Sequence, residues 1–102
     1  GSMETGSYLL VGAPGAEAAF YTTAHGSGRA MGRHEAKKRF HGRDLEKSMH
    51  ERGIYVRAVS SSGLAEEAGA AYKDIDEVAE ATELAGLSRR VVKLVPVGNI
   101  KG

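Results

Sequence analysis

Two apolar runs crowd the first quarter of this chain. Ser7–Gly12 reads SYLLVG and Ala18–Ala24 reads AAFYTTA. Both are strand-like, the second through its β-branched and aromatic residues, and the turn signal APGAE falls between them. The expectation is a hairpin whose second strand delivers His25 at its end. A hairpin apolar on both faces must be covered on both, and little else in 102 residues can supply that cover. The expected fold is therefore α+β, a mixed sheet with helices packed on it. It reads as an incomplete part of a larger fold, its sheet completed by chain outside these residues.

The remaining segments fit that class. RAMGRHEAKKRF takes up helical character after the glycines, with Arg29, Arg33 and Lys37 recurring every four residues along one face. GRDLEKSMHERG predicts a second helix, with Leu45 and Met49 on its apolar side and Gly53 as its stop. IYVRAVS alternates like a half-buried strand. SSGLAEEAGAAY begins with serine caps and predicts a short helix. KDIDEVAEATELAGL predicts another, ending near Gly86. RRVVKLVPVGNIKG reads as a strand broken at Pro96. No repeat or linker divides residues 1–102, so they are read as one segment.

Charge is unevenly spread although the net value is +1. Arg29, Arg33, Lys37, Lys38, Arg39 and Arg43 face only Glu35 within their stretch, whereas Glu66 to Glu83 holds seven carboxylates against Lys73. A basic stretch beside a glycine loop points to a phosphate-bearing partner; two solvated helix faces are the plain alternative. With no cysteine, a disulfide framework, a thiolate metal site and a cysteine nucleophile are excluded. No apolar run is long enough to cross a bilayer and no signal-peptide pattern opens the chain, so a cytoplasmic protein without membrane contact is expected.

The motif richest in chemistry is HGSGR at residues 25–29. Small residues let backbone N–H groups converge on an anion, and a following helix start adds partial positive charge. An imidazole at the edge can donate a hydrogen bond, act as general acid or base, or attack phosphorus. A turn histidine without chemistry remains the alternative. The pattern is neither a P-loop nor a dinucleotide fingerprint. His34, His41 and His50 lack metal-ligand spacing, and no metal ligand is assigned in this chain.

Five stretches in order, GSM with SYLLVG, HGSGRAMGR, RGIYVRA, LAEEAGAAYKDIDEV and PVGNIKG, resemble the C-terminal part of the RtcB family of RNA-splicing ligases. The resemblance covers essentially the whole chain. In the family the middle motif usually reads HGAGR followed by M-S-R, so Ser27 and Gly32 are departures; both are small. The resemblance implies a GTP-dependent RNA ligase for tRNA splicing or RNA repair. It would join 2′,3′-cyclic phosphate or 3′-phosphate ends to 5′-hydroxyl ends through a histidine–GMP intermediate. It implies His25 as the nucleophile and Gly26, Ser27 and Gly28 as main-chain donors to the GMP phosphate. Gly1, Ser2 and Met3 match the family's guanylate-contacting turn, lacking its proline. Ser7 matches a nucleotide-contacting serine, Tyr72 a tyrosine at the base pocket, and Lys101 the penultimate lysine that contacts guanine. Arg29 and Arg33 are expected at RNA phosphates, with structural salt bridges as the alternative.

The cofactors so implied are GTP and Mn(2+), the metal held by family residues upstream of this chain. On that reading residues 1–102 are the C-terminal segment of the ligase domain, inactive alone and partnered by RNA and by the metal-binding N-terminal portion. Two other readings stay open: a non-catalytic module that binds RNA or a nucleotide, and a structural piece that covers its sheet by forming a homo-oligomer.

Overall fold

The computed structural model describes residues 1–102. Its four strands are β1 (Ser7–Gly12), β2 (Tyr55–Ala58), β3 (Ser88–Leu94) and β4 (Gly98–Lys101). Its helices are α1 (Arg33–Arg39), α2 (Gly42–Glu51), α3 (Ser61–Glu66) and α4 (Ile75–Leu84). The α+β class holds. The strands form two separate two-stranded sheets: β1 with β3, antiparallel, and β2 with β4, parallel.

The expected N-terminal hairpin does not form. Pro14 opens a 3-10 turn over Pro14–Ala19, and Phe20 and Tyr21 then adopt left-handed φ values of 54° and 58°. Proline's fixed φ and missing N–H favour a helical start over a ladder strand. Gly15 lets this turn lie against the Gly86 carbonyl, 2.5 Å from where a Cβ would stand. β1 takes β3 as its partner instead, in register from Ser7 opposite Leu94 to Gly12 opposite Ser88, with an irregularity between Leu9 and Leu10.

Two helices are shorter than their sequence pattern. The basic helix starts at Arg33, because Ala30 and Met31 both donate their N–H groups to the Ala71 carbonyl and Gly32 serves as N-cap. Arg29 therefore lies outside it, in a bridge with Tyr72. The helix from Ser61 stops at Glu66, and a 3-10 turn at Gly69–Ala71 follows. Gly69 is captured from outside, its N–H donating to the Glu4 carboxylate. The other boundaries follow local signals. The Ser60 hydroxyl caps α3 by accepting from Gly63 N–H at 3.0 Å, and Asp74 caps α4 by accepting from Asp76 N–H at 2.8 Å. Gly53 at φ 78° ends the α2 turn as the Ile54 N–H returns to the Met49 carbonyl.

Burial is uneven. Met3, Met49, Ile54, Val56 and Leu64 form the core, with Leu45 against it, so α2, α3, β2 and the N-terminal turn pack as one lobe. The other lobe is the β1–β3 ribbon with α4 along one face, contributing Ile75 and Ala79. The ribbon's other face is bare: Leu9, Val11, Val92 and Leu94 are all exposed. The radius of gyration is 15.2 Å, above the roughly 13 Å of a compact chain of about 100 residues. The molecule is two thin lobes joined by the N-terminal turn, the glycine loop, the connection from α3 to α4 and the β3–β4 connection.

Candidate functional site

The glycine loop spans the junction between the lobes. Upstream, the Thr23 hydroxyl hydrogen-bonds the Ser88 hydroxyl at 3.0 Å at the start of β3. Downstream, the Gly28 carbonyl accepts from Lys73 N–H at 3.0 Å, and Gly28 has φ 75°, a conformation glycine adopts without strain. Between these anchors His25 and Gly26 are exposed. A Cβ built on Gly26 meets nothing within 4 Å, so the backbone there is open to close approach.

His25 and Gly26 line a cavity of ≈ 140 Å³ between β1 and α4, and Gly1 and Ser7 line the same cavity. Four of the candidate residues, from three separate parts of the sequence, thus meet at one place. Its remaining wall is largely apolar, including Leu10, Ile75 and Val78. The volume is below the about 300 Å³ at which complete small-molecule pockets begin.

Ser2 and Met3 serve the neighbouring turn. The Ser2 hydroxyl accepts from Glu4 N–H at 3.2 Å and meets the Thr5 hydroxyl at 3.0 Å. The Met3 side chain is in the core, and its carbonyl accepts from the Asn99 amide at 2.9 Å. Ser27 turns inward: it is 5% exposed, and its hydroxyl has no hydrogen-bond partner.

Tyr72, Lys101 and Arg29 lie in a second cluster and do not line the His25 cavity. Glu67 stands at its centre. It accepts from the Tyr72 hydroxyl at 2.6 Å and lies 3.7 Å from Arg29 Nη1 and 3.8 Å from Lys101 Nζ. The Arg29 guanidinium sits 4.7 Å over the Tyr72 ring and donates to its hydroxyl at 3.0 Å and to the Glu66 carbonyl at 2.6 Å. Burial, and then the hydrogen bond to Glu67, push the Tyr72 hydroxyl above the usual phenol range. Arg33 pairs with Glu66 at 3.6 Å, and Lys37 pairs with the same carboxylate. Lys37 above all holds the Glu66 carboxyl below its ordinary value. The basic and acidic stretches of the sequence therefore meet here, and both candidate arginines are engaged with carboxylates.

The family model described as tRNA-splicing ligase RtcB matches residues 1–102. The chain belongs to the RtcB family. It is 49% identical over 102 residues to a Mycobacterium tuberculosis protein named RNA-splicing ligase RtcB, covering all of this chain and 23% of that protein. It is 48% identical over 103 residues to a Methanopyrus kandleri tRNA-splicing ligase RtcB, covering all of this chain and 10% of that protein. For the Pyrococcus horikoshii protein of the same name the identity is 42% over 103 residues and the share 12%. The chain thus spans a quarter or less of the length of these RtcB relatives.

No group of three or more His, Cys, Asp or Glu side chains in this chain is arranged to hold a metal ion. The residues present do not by themselves fit a metal. No helix is long and apolar enough to cross a membrane. Sequence reasoning missed Glu66 and Glu67 as counter-ions. The signal was available in the opposed charge of the stretches beginning at Arg29 and Glu66, but which carboxylate meets which cation depends on how α1, α3 and β4 pack.

Proposed function

We propose that this chain is the guanylate-accepting portion of a GTP-dependent RNA ligase. RNA ends bearing a 3′-phosphate, or a 2′,3′-cyclic phosphate once opened to it, are joined to 5′-hydroxyl ends. An unprotonated imidazole nitrogen of His25 attacks the α-phosphorus of GTP; pyrophosphate leaves, and a phosphoramidate joins His25 to GMP. GMP passes to the RNA 3′-phosphate, freeing His25, and the 5′-hydroxyl then attacks that phosphorus and expels GMP. The observation carrying this reading is the meeting of Gly1, Ser7, His25 and Gly26 at one cavity with bare main chain at Gly26.

Each residue then has a task in the chemistry. His25 is exposed and accessible to a nucleotide. Main-chain N–H groups of Gly26, Ser27 and Gly28 stabilise charge on the α-phosphate, as preorganised backbone dipoles do. Ser7, with Gly1 and Ser2 nearby, contacts the nucleotide, and the backbone of Met3 shapes that turn. Tyr72 and Lys101 hold the guanine, Arg29 keeps its contacts to Tyr72 and Glu67, and the exposed Arg33 exchanges its carboxylate for an RNA phosphate. Manganese would be held by residues outside 1–102, and there it would supply charge neutralisation at the triphosphate.

The test is intact-protein mass after incubating protein that contains this segment, with the upstream portion, in GTP and manganese. The expected product is one acid-labile guanylate per chain, absent from His25→Ala. An adduct that persists in the alanine variant overturns the nucleophile assignment.

One observation favours a second reading, association through the bare ribbon face. It predicts a dimer or larger species in sedimentation of the 102-residue chain and a melting temperature that ignores GTP.

A further inference from the structure

Glu67 caps the C-terminus of α3 and belongs to neither the glycine loop nor the N-terminal turn. Its carboxylate touches three donors from three separate segments: Arg29 after the loop, Tyr72 after the 3-10 turn, and Lys101 at the end of β4. Its neighbour Glu66 takes Arg33 and Lys37 on its carboxylate and Arg29 only on its backbone carbonyl, so the two adjacent carboxylates divide the cations without overlap.

We propose that Glu67 is a positioning residue for base selection, holding Lys101 where its ammonium meets the O6 side of guanine. The inference rests on the assignment of Tyr72 and Lys101 to the base pocket made above. Three observations carry it. The backbone of Lys101 is fixed, since it is in register with Ala58 and its carbonyl accepts from Val59 N–H at 3.1 Å. Its side chain is a flexible four-carbon stem whose ammonium has Glu67 as its ionic partner. Glu67 in turn is fixed by the 2.6 Å hydrogen bond from Tyr72, whose ring is itself pinned under Arg29. The chain of constraint runs from Arg29 through Tyr72 and Glu67 to Lys101.

The chemistry explains why position matters. A lysine ammonium has three donors and no acceptor, and Glu67 at 3.8 Å occupies one of them at most. A donor held in place rewards guanine, which presents a carbonyl oxygen at position 6. It penalises adenine, which presents an amino group and leaves two donors facing each other. A lysine free to swing away loses that discrimination while still contributing positive charge.

Titration of the 102-residue chain with GMP and with AMP tests this. The parent chain is expected to prefer GMP, and Glu67→Gln to lose about tenfold of that preference, the size of one hydrogen-bond discrimination. Glutamine still accepts from Tyr72, so this variant keeps the neutral contact and drops only the ionic hold; Glu67→Asp, which keeps the charge, should restore part of the preference. In a Lys101→Met background, Glu67→Gln should add no further loss, because the two act through one contact. Unchanged preference in Glu67→Gln, or additive losses in the double variant, overturns the proposal while the base-pocket assignment stands. A parent chain without GMP preference removes that assignment, and this proposal with it.

Discussion

The two lobes solve the problem of burial differently. Around Leu64, Met49 and Val56, α2, α3, β2 and the N-terminal turn close over a small core in which these side chains are at most 2% exposed. Along β1 and β3 only one face is covered, by α4, while Leu9, Val92 and Leu94 stand in solvent. A strand pair without a second layer is marginal in water, so the packed lobe supplies most of the stability. The candidate loop sits where the two meet. This placement couples a firm support, through Gly28 and Arg29, to a thinly packed partner that supplies the other cavity wall.

The largest effect should come from the packed lobe. Leu64→Ala is expected to cost about 3 kcal/mol in urea unfolding, as for a fully buried leucine, whereas Leu9→Ala on the bare face should cost under about 1 kcal/mol. Equal losses would mean the ribbon face is covered in solution, and the contrast between the lobes would fail.

Next is the loop. Because the Ser27 hydroxyl is buried without a partner, Ser27→Ala should stabilise the chain by about 1 kcal/mol, recovering part of the desolvation penalty. A loss of stability would show that the hydroxyl is satisfied. Helix caps compare the lobes at similar size. Ser60→Ala, in the packed lobe, should cost about 1 kcal/mol. Asp74→Ala, beside the ribbon, should melt α4 locally, and hydrogen exchange of α4 amides would read it.

The smallest effect is in acid. Lys93, and then the Tyr8 hydroxyl, hold the Asp76 carboxyl below its ordinary 3.8, and Arg90 does the same for Glu83 below 4.5. Folded carboxyls with lowered pKa stabilise the fold at pH above those ordinary values, and the contribution fades as pH falls through the folded ones. These pairs tie α4 and β1 to β3. Thermal melts between pH 6 and pH 3 should therefore decline below about pH 4, and Asp76→Asn should flatten the decline. An unaltered curve in that variant would remove Asp76 as a brace.

Much of the outline was legible because it is local. The α2 turn needs Met49 inward and Gly53 at its end, the α3 cap is Ser60, one residue before the serines read as caps, and Pro96 separates β3 from β4; each signal lies within a few residues of what it controls. His25 and Gly26 were singled out from one local motif, and Gly1 and Ser7 from a resemblance; that they line one cavity is a matter of packing. What was not legible is long-range. AAFYTTA has strand composition, yet Pro14 and the left-handed Phe20 and Tyr21 turn it aside, and β1 finds its partner some eighty residues later. Arg29 reads as a helix residue but is drawn out by the Ala71 carbonyl.

The sequence by itself determined the stops, the small-residue loop beside His25 and the membership of the RtcB family, because each depends on residue identity at fixed short spacing. Tertiary structure alone decided which strands pair, that Glu66 and Glu67 collect the cations, and that Gly1, Ser7 and Gly26 surround one cavity with His25. Those outcomes depend on where separate elements come to rest, and hydrogen bonds and ion pairs are satisfied by whichever partner packing brings within reach.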